Sequence, residues 1–318
     1  MMKHLLNYYY VEAYEKELEQ RGQTLGDFVN QLGLDGIEEF IYTMEKPEKS
    51  YADLVRGVHL TYWPCWMDFW LRKAKRLKQE FRNVIERNQY YREALSREEW
   101  LSVIRKNIGA AATEDPDYMV WHIADANKEE IFTYQFNYSD REVLTAAADV
   151  FNSVADEIPE NVTVLFENLW WPGLRLTDVR NVRYFFERIE RKNVGLLVDT
   201  GHLMNTNLRL KNEEEAADYV CRVLGKLGPY VDYIKAVHLN CSLSGKYQRS
   251  IDHVVPKHIT SQAIWEHMMK LDPHQPFQTK AAKQILDCMS PNYVVHEMAY
   301  NTLAELQEKV ELQLSNCR

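Results

Sequence analysis

From Val194 to His202 the chain reads Val-Gly-Leu-Leu-Val-Asp-Thr-Gly-His. A leucine- and valine-rich run without polar alternation reads as a strand buried on both faces. It ends in Asp199, turns on Gly201 and presents His202 three residues after the acid. Val162-Thr-Val-Leu-Phe-Glu167, Tyr233-Ile-Lys-Ala-Val-His238 and Tyr293-Val-Val-His-Glu297 have the same form. In a barrel of parallel strands the carboxyl ends meet at one face, so residues far apart in sequence become neighbours around one cavity.

The other β-rich runs are Leu5 to Tyr10, Gly36 to Tyr42, Val55 to Thr61 and Tyr118 to Ile123, which makes eight candidate strands. Charged, periodic stretches between them predict helices, among them Glu12 to Gly33, Ser139 to Glu157, Asp178 to Lys192 and Glu213 to Gly228. Strand and helix in alternation predict an α/β fold, one (β/α)8 TIM barrel spanning residues 1–318. Two connections exceed the usual few residues. An extended helical insertion follows strand three, from Tyr62 to Asp117, and a long loop follows strand seven, from Asn240 to Asn292. The first opens with Tyr-Trp-Pro-Cys-Trp-Met-Asp-Phe-Trp and continues as a charged helical segment through Arg92. Its rings either wall the cavity or pack the extra helix on the barrel.

Bulk properties bound the function. With 318 residues and 46% hydrophobic content the chain supports one large core. No run approaches the roughly 20 apolar residues of a membrane span, and the opening Met-Met-Lys-His-Leu-Leu has no apolar signal core, so a cytoplasmic location is expected. Five scattered cysteines, with no Cys-x-x-Cys pair, are expected as free thiols. A formal charge of −9 disfavours nucleic acid as partner and leaves a small molecule. A homo-oligomer is open.

Glu167, Asp199, His238 and Glu297 form a nitrogen-and-oxygen set suited to one divalent ion, manganese, zinc, magnesium or cobalt, with no organic cofactor. Each has a plainer reading: a helix-capping acid, an ordinary strand-to-helix turn, a satisfied core histidine. For Glu297 that reading is costly, because a buried unpaired glutamate calls for a cation. His296 alternates to the outside of the barrel. His59 and His122, near the ends of strands three and four, are candidate substrate-binding or additional metal residues. His253, after Asp252, lies in a loop, and His4, His258, His267 and His274 carry no argument.

Val-Leu-Phe-Glu167-Asn, Leu-Val-Asp199-Thr-Gly-His202, Ala-Val-His238-Leu-Asn and Val-His-Glu297-Met together resemble the xylose isomerase-like superfamily of sugar isomerases, epimerases and dehydratases, with an endonuclease IV branch. The resemblance implies that Glu167, Asp199, His238 and Glu297 hold one metal and that His202 contacts substrate. It also implies that Glu167 and Glu297 exchange a proton beside a carbonyl through an enediolate, which isomerises or epimerises a sugar or polyol; loss of a neighbouring hydroxyl would give a dehydratase. Many epimerases carry an arginine after the metal histidine, for which Lys246 or Arg249 stand as candidate replacements. The nuclease branch implies a three-metal phosphoesterase, with His59, His122, Asp252 and His253 as the added residues. A non-catalytic sugar- or metal-binding barrel is the third reading.

Overall fold

A computed structural model describes residues 2–257 and 259–318; His258 lies outside them. Eight parallel strands close in sequence order: β1 (Lys3–Tyr8), β2 (Gly36–Ile41), β3 (Val55–Leu60), β4 (Tyr118–His122), β5 (Thr163–Glu167), β6 (Val194–Asp199), β7 (Ile234–His238) and β8 (Tyr293–His296). Each expected strand is present, with ends moved by one or two residues.

Side-chain alternation sorts the strands into an inside and an outside. Leu5, Tyr118, Val120, Leu165, Leu197, Ala236 and Val295 fill the interior as one buried cluster. Outward residues such as Val164, Phe166, Leu196 and Val294 join the larger core beneath the helices. Two residues past an inward core position along a strand stands an inward residue at the rim. Glu167 follows Leu165, Asp199 follows Leu197, His238 follows Ala236 and Glu297 follows Val295, so the same periodicity that packs the barrel delivers the polar residues to its C-terminal face.

The expected helix from Glu12 to Gly33 is two helices, Glu12–Gln20 and Leu25–Gln31. Gly22 takes a left-handed φ of +65°, and Thr24 and Asp27 form a capping box that starts the second. The expected charged helix of the insertion is likewise divided, into Met67–Trp70, Ala74–Glu80 and Val84–Tyr90, before the barrel helix Arg97–Ala112. Left-handed Arg72 and the Asn83 cap mark the breaks. Most of the insertion's rings pack on one another: Trp63 and Trp66 lie 5.8 and 6.0 Å from Trp100, and Phe69 stacks on Tyr91 at 4.1 Å. Tyr62 of that opening run lies 4.5 Å from the His122 ring.

The thiol expectation is corrected at one pair. Cys221, on Glu213–Leu224, and Cys288, on Ala281–Met289, form a disulfide; Cys65, Cys241 and Cys317 are free. Such bridges persist in oxidising surroundings, which removes the cysteine argument for a cytoplasmic location. Among the described residues no helix is long and apolar enough to cross a membrane.

Candidate metal centre

The strand-end residues converge. Ligand atoms of Glu167, Asp199, His238 and Glu297 all lie within 4.8 Å of one another, and so do those of two further groups, His59/His122/Glu167 and Asp199/His202/His274. Glu167 and Asp199 each belong to two groups, so the three are contiguous.

Glu167 is 0% exposed and sits at the junction. Its Oε1 is 3.4 Å from His238 Nδ1 and 3.3 Å from His202 Nδ1. Its Oε2 is 2.5 Å from His122 Nε2 and 3.3 Å from His59 Nε2. Glu297 Oε2 lies 3.1 Å from His238 Nδ1 and 3.3 Å from His274 Nε2. Asp272 Oδ2 lies between two imidazoles, 3.0 Å from His202 Nε2 and 3.3 Å from His274 Nδ1.

The polypeptide fixes these groups from behind. Asp199 Oδ1 accepts from the His202 backbone N–H at 2.6 Å, capping the short helix Thr200–Met204, and Oδ2 accepts from Asn240 Nδ2 at 2.8 Å. Asn240 fits because residue 201 is glycine: a Cβ there would overlap its Oδ1. His59 Nδ1–H donates to the Leu60 carbonyl and His202 Nδ1–H to the Asn168 carbonyl, both at 2.9 Å, while His238 Nε2–H donates to Glu38 at 2.8 Å. In each ring one nitrogen is held by an outer partner and the other is available to the cluster, as metal-ligating histidines are held.

Whether a metal fits is decided by the unpaired atoms. Glu167 Oε1 and Oε2, His238 Nδ1 and Glu297 Oε2 face the cluster and are buried without a hydrogen-bond partner of good geometry. Leaving a carboxylate buried without a compensating cation costs several kcal/mol by order of magnitude, and divalent ions among these atoms would offset that. The donor set, imidazole nitrogen and carboxylate oxygen without thiolate, suits zinc, manganese, iron or cobalt.

Without an ion the imidazoles must answer the acids with protons. Burial pulls His238 and His202 down, but their carboxylate neighbours push both well above the ordinary histidine value. His274 is opposed by burial and carried up to about 10 by Asp272 and Glu297. Burial lifts Asp199 to about 7 against the pull of His202. Burial dominates at His122, which is lowered.

Glu167, Asp199, His202, His238, Glu297, His59 and His122 are therefore brought together. Lys246 and Arg249 are not: both are exposed, and Arg249 donates to the Leu208 carbonyl. The acid-histidine pair of the long loop is Asp272 and His274, not Asp252 and His253; His253 bonds the Thr133 carbonyl. Pro273 separates the two site residues, and His274 sits at a left-handed φ of +42°. The sequence signal was an Asp-x-His, Asp272-Pro-His274, in the connection ahead of the helix Ala281–Met289. Glu38 was also missed; adjacent acids in an apolar strand, Glu38-Glu39, were its sign.

Residues 27–277 match the family model described as a xylose isomerase-like TIM barrel. Among solved structures, endonuclease IV from Thermus thermophilus is similar with a TM-score of 0.51 at 12% identity, covering 99% of this chain and 98% of that one. An L-ribulose 3-epimerase gives 0.51 at 11% identity, covering 99% and 93%. The 3-keto-D-glucoside 4-epimerase of E. coli gives 0.50 at 13% identity, covering 99% and 100%. No curated protein matches in sequence. At these identities the likeness is one of fold.

Proposed function

The chain belongs to the xylose isomerase-like TIM barrel family, and we propose that it is a metal-dependent hydrolase of small phosphoesters whose centre takes three divalent ions. The observation that carries this reading is the placement of Glu167. In a one-metal isomerase this carboxylate would need an oxygen free to reach a substrate carbon. Here Oε1 faces His238 and Oε2 is enclosed by His122 and His59, at 2.5 and 3.3 Å, so Glu167 would help to hold an ion on each side.

Divalent ions in these sets would supply Lewis acidity toward a phosphoryl oxygen and a water nucleophile of lowered pKa. The chain's own residues set the frame. Glu167 joins the His59/His122 set to the His238 set, and Asp199 joins the latter to His202 and His274. Asp272, buried between His202 and His274, holds both imidazoles of the third set. Among the described residues the ion-pair partners of Glu167, Asp199, Asp272 and Glu297 are all histidines, with no lysine or arginine. Substrate phosphate charge would therefore be met by the ions. The overall charge of −9 disfavours a polyphosphate chain as substrate.

A second reading is favoured by the completeness of the Glu167/Asp199/His238/Glu297 set on its own. This is one-ion isomerisation, epimerisation or dehydration of a sugar-like hydroxy-carbonyl compound, with Glu297 as the acid/base. The two separate in one experiment. Protein loaded with zinc or manganese is assayed on bis(p-nitrophenyl) phosphate and p-nitrophenyl phosphate, and on ketohexoses for C3 epimerisation, beside His122→Ala. Phosphoester turnover lost in the variant supports the hydrolase. Epimerisation undiminished in His122→Ala would overturn it.

A further inference from the structure

Glu38 is a fully buried carboxylate on β2 and belongs to none of the three ligand groups. Its Oε1 accepts from His238 Nε2 at 2.8 Å, and its Oε2 accepts from the Tyr118 hydroxyl at 2.6 Å. On the opposite edge of the same imidazole, Nδ1 faces Glu297 and Glu167 at 3.1 and 3.4 Å. A neutral imidazole carries one proton. An acceptor at Nε2 keeps that proton there and turns the Nδ1 lone pair toward the cluster. His59 and His202 are held in the same manner, but by backbone carbonyls; at His238 the outer partner is a carboxylate. A carboxylate in that place also raises the basicity of the ligating nitrogen.

Glu38 is itself held. Tyr118 lies inside the barrel opposite Gly57 in the β3–β4 register, and a Cβ at Gly57 would overlap the phenol ring. Gly57 therefore makes the space for Tyr118, Tyr118 orients Glu38, and Glu38 orients His238.

We propose that Glu38 is the positioning residue for His238, and that Gly57 and Tyr118 exist at their positions to hold it. This rests on the metal-centre reading above. The test measures zinc affinity by chelator competition in the wild type, Glu38→Gln and Tyr118→Phe, with far-UV circular dichroism as the check on folding. Nitrogen-15 NMR of the zinc-loaded protein reads the His238 Nε2–H. Glu38→Gln keeps the shape and removes the charge. The expected loss is about 10- to 100-fold in the affinity of one ion, with wild-type dichroism and a shifted Nε2–H resonance. Tyr118→Phe is expected to move the same resonance with a smaller affinity loss, and it carries the test if Glu38→Gln does not fold. Zinc affinities and an Nε2–H resonance unchanged in both variants would overturn the positioning role while leaving the centre intact. A wild type that binds no zinc would overturn both.

Discussion

The Nε2 atoms of His59 and His122 lie 3.1 Å apart, with Glu167 Oε2 2.5 Å from the second. Two ring nitrogens directed at each other beside a carboxylate oxygen are a repulsive arrangement of lone pairs unless a proton or cation lies among them. Their backbones are placed by neighbouring strands β3 and β4, and Phe40 stacks on His59 at 4.4 Å. The arrangement is built in and not a matter of free rotamers. His122→Ala should reduce phosphoester turnover by about a hundredfold or more, because one ion contributes several kcal/mol to the transition state and each ~1.4 kcal/mol is tenfold. Steady-state turnover with metal content measured on the same sample checks it: the ion of the His238 set should stay.

Metal uptake should release protons. His274 is carried up to about 10 by Asp272 and Glu297 against burial, so in the metal-free protein it is an imidazolium at pH 7. An ion must displace that proton. Zinc titrations by calorimetry in buffers of different ionisation enthalpy should show net proton release at pH 7 and affinity rising with pH; heats independent of buffer would contradict this. For the metal-free fold the sign is opposite. A histidine raised from 6.5 to about 10 stabilises fully below 6.5 and loses that contribution as pH rises toward 10.

Glu39 points outward from β2 into the core and is 2% exposed. Burial, with Glu114 nearby, raises it to about 8 from an ordinary value of 4.5. The folded state then binds the extra proton, so stability falls as pH rises from 4.5 to about 8, by up to roughly 1.4 kcal/mol per pH unit. Glu39→Gln should flatten this part of the profile and leave the protein more stable than wild type at pH 8.5. Denaturant melts at several pH values measure it.

Gly201→Ala should damage the centre from a position that touches no ligand side chain directly. The added methyl meets Asn240 Oδ1 and Ser242 Oγ, and Asn240 is the donor to Asp199 Oδ2. A loss of about 1 to 3 kcal/mol of stability is expected from overpacking, together with weaker zinc binding. Unchanged zinc affinity would remove Asn240 from the account.

The barrel and its rim were legible because the two-residue alternation that buries Leu165, Leu197, Ala236 and Val295 also places Glu167, Asp199, His238 and Glu297. Asp272 and His274 were not legible in that way. They arrive from a connection, where no periodicity fixes a side chain's direction, and their loop is pinned by pairing that sequence does not announce, such as the bridge between Cys241 and Gln275. Glu38 was hidden for the opposite reason. Both faces of β2 are buried, so polarity did not say which of Glu38 and Glu39 looks inward. Lys246 and Arg249 were singled out as replacements for the arginine that follows the metal histidine in many epimerases, and position in the sequence after His238 did not say that both side chains would be exposed.

The proposed centre holds three ions, and metal stoichiometry reads that number. Protein stripped with chelator, reloaded with excess zinc and freed of unbound ion is measured by elemental mass spectrometry against chain concentration. About three zinc ions per chain is the expected result, one for each ligand group. One ion per chain would contradict the three-ion centre and return the protein to the isomerase reading, and none would contradict a metal centre altogether.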